Sequence, residues 1–144
     1  MSRNKRKLTA EETIAILNSG RYTNASGDMV RIANSLDQMK AGTALIRPED
    51  FDSILHSASS TQHETTIEVF NETTFAGARA LLKAGAEKVC CLNFASAKNP
   101  GGGFLGGSQA QEESLARASG LYASLQQTRE YYEFHRQGGN ALIT

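Results

Sequence analysis

Residues 93–115 read NFASAKNPGGGFLGGSQAQEESL, and this stretch decides the fold class. An apolar run, Val89 to Phe94, leads into it without alternating polar and apolar residues. Such a run is typical of a strand buried on both faces of a parallel sheet. Five glycines follow between residues 95 and 108, and apolar residues at helical spacing then predict a helix that begins near Gln109. The order strand, glycine-rich loop, helix indicates an α/β fold.

The residues before this stretch extend the same arrangement. Residues 65–70 are rich in β-branched side chains and predict a strand, and Asn71 is the predicted cap of a helix that ends at Gly85. With the strand at 89–94 this makes one βαβ unit. A further helix is predicted over 130–136 and a strand over 141–144. Because an α/β sheet needs more strands, we expect a fragment whose remaining strands are absent or supplied by a partner.

Residues 1–62 carry helix signals and no chemical motif, and we expect them to form an N-terminal helical extension. In chain order the signals are a capping box at Thr9 with a stop at Gly20, a hairpin loop at 24–28, a second capping box at Ser35 with a stop at Gly42, and Pro48 as the first residue of a third helix.

Composition and charge exclude several classes of protein. The 144 residues predict one domain, and 15 basic against 15 acidic residues give no net charge. A general nucleic-acid binder needs many uncompensated cations, so that class is excluded. No apolar run is long enough for a membrane span. The local basic run Arg3, Lys5, Arg6, Lys7 is expected to be a solvated tail.

The cysteines and histidines predict neither a disulfide nor a metal site. Cys90 and Cys91 are adjacent in the apolar run, and we expect two buried thiols in a reducing cytoplasm. His56, His63 and His135 are scattered without ligand spacing. We therefore expect no metal and no cofactor.

The glycine-rich loop has the composition of a phosphate-binding loop. Gly101, Gly103 and Gly106 fit the GxGxxG spacing, but the acid and the lysine expected of dinucleotide-binding and P-loop proteins are missing. Instead two acids, Glu112 and Glu113, open the next helix. A carboxyl group beside a bound diphosphate is repelled by it and keeps its proton, as a general acid requires. The combination favours cleavage of a bond in a phosphorylated sugar or nucleotide.

The motif as a whole resembles a known signature. A glycine triplet at 101–103, seven residues, and then Gln111-Glu112-Glu113 resemble the signature of poly(ADP-ribose) glycohydrolases. Residues 93–100 resemble the bacterial and fungal form of that family, and the resemblance covers about residues 8–144. It implies a macrodomain-like three-layer α/β/α sandwich, here partial. Residues 1–62 would then be the helical extension, and residues 63–144 the N-terminal half of the catalytic domain.

The resemblance also implies roles for individual residues. Glu113 would protonate the leaving 2′-oxygen as a ribose–ribose O-glycosidic bond of poly(ADP-ribose) is cleaved, and would then activate water to release ADP-ribose. Glu112 would position the ribose. The remaining expected substrate-binding residues are the strand-end pair Asn93 and Ser96, the loop residues Gly101, Gly102, Gly103, Phe104, Leu105 and Gly106, and Gln111 at the helix start.

Helix geometry supports this division of roles. Adjacent helix residues point ~100° apart, so Glu112 and Glu113 cannot flank one bond as an ordinary glycosidase pair does. Relative to the apolar stripe that begins at Leu115, Glu113 points to the opposite side and Gln111 to the core side. Gln111 is therefore expected to tie the helix start to the loop. Phe104 is either a hydrophobic anchor or a lid over the ligand.

Two alternatives stay open at this point. The chain could be an ADP-ribose-binding macrodomain, or an inactive fragment, without turnover. It could also remove single ADP-ribose units from a protein or nucleic acid. The QEE tripeptide favours the glycohydrolase over the second alternative, whereas the early end of the chain favours the first. Leu142 and Ile143 would leave an unpaired edge, which predicts self-association or complementation by a missing C-terminal half.

Overall fold

A computed structural model describes residues 1–57 and 64–138. The contacts divide these residues into two compact units. The first combines Met1–Thr43 with the described part of Leu92–Thr144, and the second is Ala44–Cys91. The domain division at residues 62 and 63 stays a prediction, because it follows the family resemblance and not the contacts within this chain.

The first unit begins with helix α1, Arg3–Ser19. Its cap is Ser2, whose hydroxyl accepts from the backbone N–H of Lys5 at 3.3 Å. The prediction of Thr9 as N-cap was wrong, since Thr9 lies inside the helix and its hydroxyl donates to the carbonyl of Lys5. The helix starts earlier because Ser2 can cap it and residues 3–8 contain neither Gly nor Pro.

The predicted hairpin is confirmed. Strand β1, Arg21–Thr23, pairs antiparallel with β2, Met29–Arg31. In the turn, the side-chain oxygen of Asn24 accepts from the backbone N–H groups of Ser26 and Asp28. Helix α2, Ala33–Ala41, follows and ends at Gly42 as predicted, although it begins two residues before Ser35 and has no side-chain cap.

The helix predicted from residue 109 onward is interrupted. It forms α5, Gln111–Arg117, and α6, Leu121–Leu125, and α7, Arg129–Gln137, follows close to the predicted 130–136. The interruption falls at Gly120, where a Cβ would lie 2.9 Å from the sulfur of Met39 on α2. Close packing of α6 on α2 thus requires a residue without a side chain between α5 and α6.

The core of this unit lies where α1 meets α5 and the glycine-rich loop. Ala10, Phe104 and Ala116 are fully buried, with Ile14 and Tyr122 packed against them. The rings of Phe104 and Tyr122 stand 4.9 Å apart between centroids. The loop is therefore anchored by its own phenylalanine.

The second unit contains two helices among its described residues. A 3-10 turn, Pro48–Asp50, leads into α3, Phe51–Ser57, as the proline predicted. Helix α4, Thr74–Lys83, is capped by Thr73, whose hydroxyl accepts from the N–H of Ala76, and the prediction of Asn71 as its cap was wrong. A threonine three residues before an N–H is placed for this bond, and Asn71 lies too far upstream.

The parallel strands predicted at 65–70 and 89–94 do not form among the described residues. Their apolar side chains are open to solvent, with Val69 94% and Leu92 72% exposed, and Cys90 and Cys91 are exposed rather than buried. A strand exists only with a hydrogen-bonded neighbour, and no described segment pairs with either stretch. The strand predicted at 141–144, including Leu142 and Ile143, lies outside the described residues.

In the part of the chain that the structure describes, no helix has the length and apolar character needed to cross a membrane.

Candidate active site

The first turn of α5 places three consecutive side chains, Gln111, Glu112 and Glu113, against different groups of residues 92–103. Gln111, the first, binds the segment that precedes the loop. Its Oε1 accepts from the N–H of Phe94 at 2.9 Å, and its Nε2 donates to the carbonyl of Leu92 at 2.8 Å. Gln111 therefore ties the helix start to residues 92–94, upstream of the glycines.

Glu112 is buried, with 3% of its surface exposed, and its carboxylate is already occupied. It accepts from the N–H of Ser96 at 2.7 Å, from the N–H of Gly101 at 3.2 Å, and from the side-chain amide of Asn93 at 3.3 Å. The described contacts thus make Glu112 the residue that holds the loop together. A ribose would have to compete with these donors.

Glu113 lies at the surface of the same turn and is half-buried. Its Oε1 accepts from the N–H of Gly103 at 3.0 Å. Gly102 stands directly against it: a Cβ there would lie 2.5 Å from Oε1 of Glu113 and 3.2 Å from Oε2 of Glu112, and its φ is +58°. Both the backbone conformation and the two carboxylates demand glycine at this position.

Seven N–H groups of the glycine-rich loop, those of residues 101–104 and 106–108, are bonded to acceptors within the protein. Gly101 and Gly103 donate to the two glutamates. The others donate to backbone carbonyls, in the pairs Gly102 to Asn99, Phe104 to Gly101, Gly106 to Gly103, Gly107 to Phe104 and Ser108 to Gly103. A diphosphate would therefore have to displace these bonds or rely on other cationic groups. The cradle function of these glycines stays a prediction.

The other loop residues divide between core and surface. Phe104 is 0% exposed, so the anchor is the alternative that the structure supports, and the lid is not. A Cβ on Gly101 would lie 2.9 Å from the Phe104 ring, which accounts for that glycine. Leu105 and Gly106 are exposed.

The prediction that the basic run is a solvated tail was wrong, because all four residues lie in α1 and two of them bond to the glycine-rich loop. Arg3 Nε donates to the carbonyl of Gly106 at 2.9 Å, and Arg6 Nε donates to the carbonyl of Gly107 at 2.7 Å. Lys7, by contrast, has no described bond to the loop, and its Nζ lies 3.8 Å from Oε1 of Glu11. The partners of the two arginines are a hundred residues away in sequence, so composition and charge patterning give no signal for them.

A third arginine supports the loop from α5. Arg117 is buried, and its Nη1 donates to the carbonyl of Ser108 at 2.6 Å. Burial, together with the charge of Arg6, lowers the pKa of Arg117, while the negative charge of Glu113 acts in the opposite direction. Three cations thus surround the carbonyls at the end of the loop.

Asn93 and Ser96, which the sequence placed at the end of a strand, both lie beside the Glu112 carboxylate. Asn93 donates to Glu112, and its buried Oδ1 has no hydrogen-bond partner in the described part of the chain. The hydroxyl of Ser96 accepts from the N–H groups of Lys98 and Asn99. A buried acceptor without a donor lowers the stability of the fold, so Asn93 Oδ1 is an atom that a further hydrogen-bond donor would satisfy.

A cleft of about 410 Å³ opens beside Gly102. Loop residues Asn99, Pro100, Gly102 and Leu105 form one wall, and the other is formed by Tyr122, Gln126, Arg129, Tyr132, Glu133 and Arg136. Arg136 also donates to the carbonyl of Lys98. Sequence reasoning missed this second wall, because helical periodicity locates α6 and α7 without showing which loop they face.

Tyr132 lies at this wall and is 2% exposed. Burial, followed by the negative charges of Glu112 and Tyr131, raises the pKa of Tyr132 to about 12. Its hydroxyl therefore stays protonated at neutral pH and can serve only as a neutral hydrogen-bonding group.

Within residues 1–57 and 64–138, no group of three or more His, Cys, Asp or Glu side chains could hold a metal ion. His56 and His135 instead bond to the carbonyls of Asp52 and Tyr131 in their own helices. His63 lies outside the described residues.

The fold and the site define a mixed α/β protein with a glycine-rich loop fixed by one buried glutamate and flanked by a second, half-buried one. The chain belongs to the microbial-type poly(ADP-ribose) glycohydrolase (PARG) catalytic-domain family, whose model matches residues 10–144. The family resemblance seen in the sequence is thereby confirmed.

Solved structures of PARG from Thermomonospora curvata are similar to this chain. One has 51% identity and a TM-score of 0.87, and the match covers 93% of this chain and 50% of that chain. A second, bound to the inhibitor ADP-HPD, has 49% identity and a TM-score of 0.87 over 94% of this chain and 49% of that one. A mutant with one glutamate replaced by alanine has 49% identity and a TM-score of 0.85, with 93% and 48% covered.

The chain therefore spans about half the length of these solved relatives. No curated protein sequence matches it. The structural matches confirm the predicted fold class, α/β and macrodomain-like, although helices dominate the described residues and their one sheet is the β1–β2 hairpin.

Proposed function

We propose that this chain carries the catalytic loop of a poly(ADP-ribose) glycohydrolase, which hydrolyses ribose–ribose O-glycosidic bonds of poly(ADP-ribose) and releases ADP-ribose. The observation that carries the proposal is the unequal placement of the two glutamates. Glu112 is buried among three donors, whereas Glu113 is half-buried beside Gly102, a residue that lines the cleft. Family membership supplies the reaction to which this arrangement is suited.

In the proposed mechanism Glu113 performs both proton transfers. As the glycosidic bond breaks, its carboxyl group gives a proton to the leaving 2′-oxygen of the neighbouring ribose. The resulting carboxylate then takes a proton from water, whose oxygen attacks the anomeric carbon, so that the acid is regenerated. The N–H of Gly103, bonded to Oε1, keeps this side chain in place between the two steps.

Glu112 acts on the loop in this mechanism. By accepting from Ser96, Gly101 and Asn93 it fixes the segment 93–101, which leads directly into Gly102. The unpartnered Oδ1 of Asn93 supports the predicted role of Asn93 in substrate binding, because it can accept a hydrogen bond from a ribose hydroxyl.

The ligand we propose is ADP-ribose, as the terminal unit of the polymer, in the cleft beside Gly102. Arg129 and Arg136 supply two cationic groups to this cleft against one acidic group, Glu133, and Tyr122 supplies an aromatic ring. Phosphates favour arginine, and rings stack on tyrosine, so the lining suits a nucleotide diphosphate. A solved relative bound to the inhibitor ADP-HPD supports a ligand of this type.

The test is Glu113→Gln, which keeps the shape of the side chain but cannot deliver a proton. The chain is incubated with labelled poly(ADP-ribose), alone and with a polypeptide equivalent to the half of the solved relatives that it does not cover. We expect release of ADP-ribose to fall at least ~10²-fold, with ADP-ribose affinity retained. Glu12→Gln, the same change at an exposed position on α1, is the matched control and should be neutral.

Other outcomes of this assay assign the alternatives. ADP-ribose binding without release in the complemented wild type would indicate a binding module. Release from a mono-ADP-ribosylated protein but not from the polymer would indicate a mono-ADP-ribosyl hydrolase. Equal rates for wild type and Glu113→Gln would refute the role of Glu113.

We also propose a reducing cytoplasm as the location, because Cys90 and Cys91 are exposed, free thiols. Self-association, or complementation by a C-terminal half, stays a prediction. The exposed apolar side chains of Ile67, Val69 and Phe70 support it.

A further inference from the structure

We infer that the first turn of α1 is a clamp on the catalytic loop, with Arg3 and Arg6 as positioning residues for Glu113. Both arginines precede residue 10, where the match to the family model begins. The clamp is therefore a feature of this chain that the family signature does not include. Only its effect on turnover rests on the proposed function.

The contact between α1 and the loop is close and specific. Arg3 Nε and Arg6 Nε each donate to a different carbonyl, those of Gly106 and Gly107. A Cβ on Gly107 would lie 2.5 Å from the carbonyl oxygen of Arg3, and the φ of Gly107 is +77°. The loop backbone thus rests on the helix backbone at a position where no side chain fits.

Hydrogen bonds connect this clamp to the acid. The carbonyl of Gly103 accepts from the N–H groups of Gly106 and Ser108, so the clamped end of the loop holds Gly103 in position. Gly103 in turn donates its own N–H to Oε1 of Glu113. If the clamped carbonyls move, the donor that orients the catalytic carboxyl moves with them.

Arg117 on α5 connects the same end of the loop to α1 through a second set of hydrogen bonds. Its Nη1 donates to the carbonyl of Ser108, and the hydroxyl of Thr13 on α1 donates to the carbonyl of Arg117. The helix that carries the clamp is therefore also bonded to the helix that carries Glu113. In this arrangement α1 fixes the distance between the loop and the acid.

The test compares Arg6→Gln with Lys7→Gln. The second variant removes the same charge from the same helix at a position that pairs with Glu11 and has no described bond to the loop. Hydrogen exchange is measured at the N–H groups of residues 103 and 106–108. Arg6→Gln should lower their protection at least ~5-fold, because a charge-assisted bond to the loop is lost, and Lys7→Gln should leave it unchanged. Arg6→Lys, which keeps one donor, should restore part of the protection.

Turnover provides the second measurement. With the complemented chain, Arg6→Gln should lower kcat several-fold while KM stays nearly constant, since Arg6 orients the acid and does not line the cleft. Equal protection in Arg6→Gln and Lys7→Gln, with Arg3→Gln also equal, would overturn the clamp. If wild type shows no turnover, the proposed function fails, but the exchange result still decides the clamp.

Discussion

Replacing each of the two neighbouring glutamates by glutamine should have different effects: Glu112→Gln should mainly lower the stability of the protein, and Glu113→Gln should mainly lower its turnover. The Glu112 pocket contains three donors, the N–H groups of Ser96 and Gly101 and the amide of Asn93. Glutamine offers one acceptor oxygen and one NH₂, so at least one buried N–H would face another donor. Loss of a charged hydrogen bond and burial of an unsatisfied donor together cost roughly 2–4 kcal/mol of unfolding free energy. At Glu113 the single bond from Gly103 can be kept by the amide oxygen, and the cost should stay below ~1 kcal/mol.

Urea denaturation of the two variants and the wild type, followed by circular dichroism, measures these differences. Glu112→Gln should unfold at clearly lower urea concentration, and Glu113→Gln should unfold close to the wild type while losing turnover. If both acids only complement the helix dipole, each substitution costs about 0.3–1 kcal/mol and the two agree. Losses that agree within ~0.5 kcal/mol, or a larger loss for Glu113→Gln, would refute the division of roles between them.

Two further predictions follow from the same region. Gly102→Ala should remove turnover and lower the unfolding free energy by about 1–3 kcal/mol, because its Cβ meets the Glu113 carboxylate and its φ is positive. Gly106→Ala, whose Cβ has nothing within 4 Å, is the control and should be nearly neutral in thermal melts and in the turnover assay. Equal behaviour of the two variants would count against the tight fit at Gly102. Because the pKa of Tyr132 is raised to about 12, its contribution to stability is fully present below pH 10 and is lost as pH rises through about 12. Ultraviolet titration should therefore show one late-ionising tyrosine. Tyr132→Phe should flatten the pH dependence of the unfolding free energy above pH 10. A Tyr132→Phe profile identical to that of the wild type would contradict this assignment.

Local features of the fold could be predicted from the sequence because their causes are local. The hairpin follows from turn residues near Asn24, and the ends of α1 and α2 follow from Gly20 and Gly42. The glycine-rich loop and the helix start beside it could likewise be located, because the glycines and the paired acids lie close together in the sequence. Each of these signals lies within a few residues of the structure that it specifies.

Features that depend on distant partners could not be predicted in this way. The sequence around Arg3 and Arg6 predicts a solvated tail. Only the fold brings the carbonyls of Gly106 and Gly107 within hydrogen-bonding distance of these arginines. The apolar runs at 65–70 and 89–94 indicate that these residues favour burial, but a strand also needs a neighbour with free N–H and C=O groups. The described residues provide none, and the runs remain exposed.

The three neighbouring residues Gln111, Glu112 and Glu113 have different surroundings, and this difference separates the two acids. Successive helix residues point ~100° apart, so three neighbours must face three different surroundings. Gln111 meets the incoming segment and Glu112 meets the loop donors, and both are held by several hydrogen bonds. Glu113 is half-buried beside Gly102 and accepts one described bond, through Oε1. The burial of Glu112 and the partial exposure of Glu113 are therefore the structural basis on which we propose Glu113, and not Glu112, as the acid.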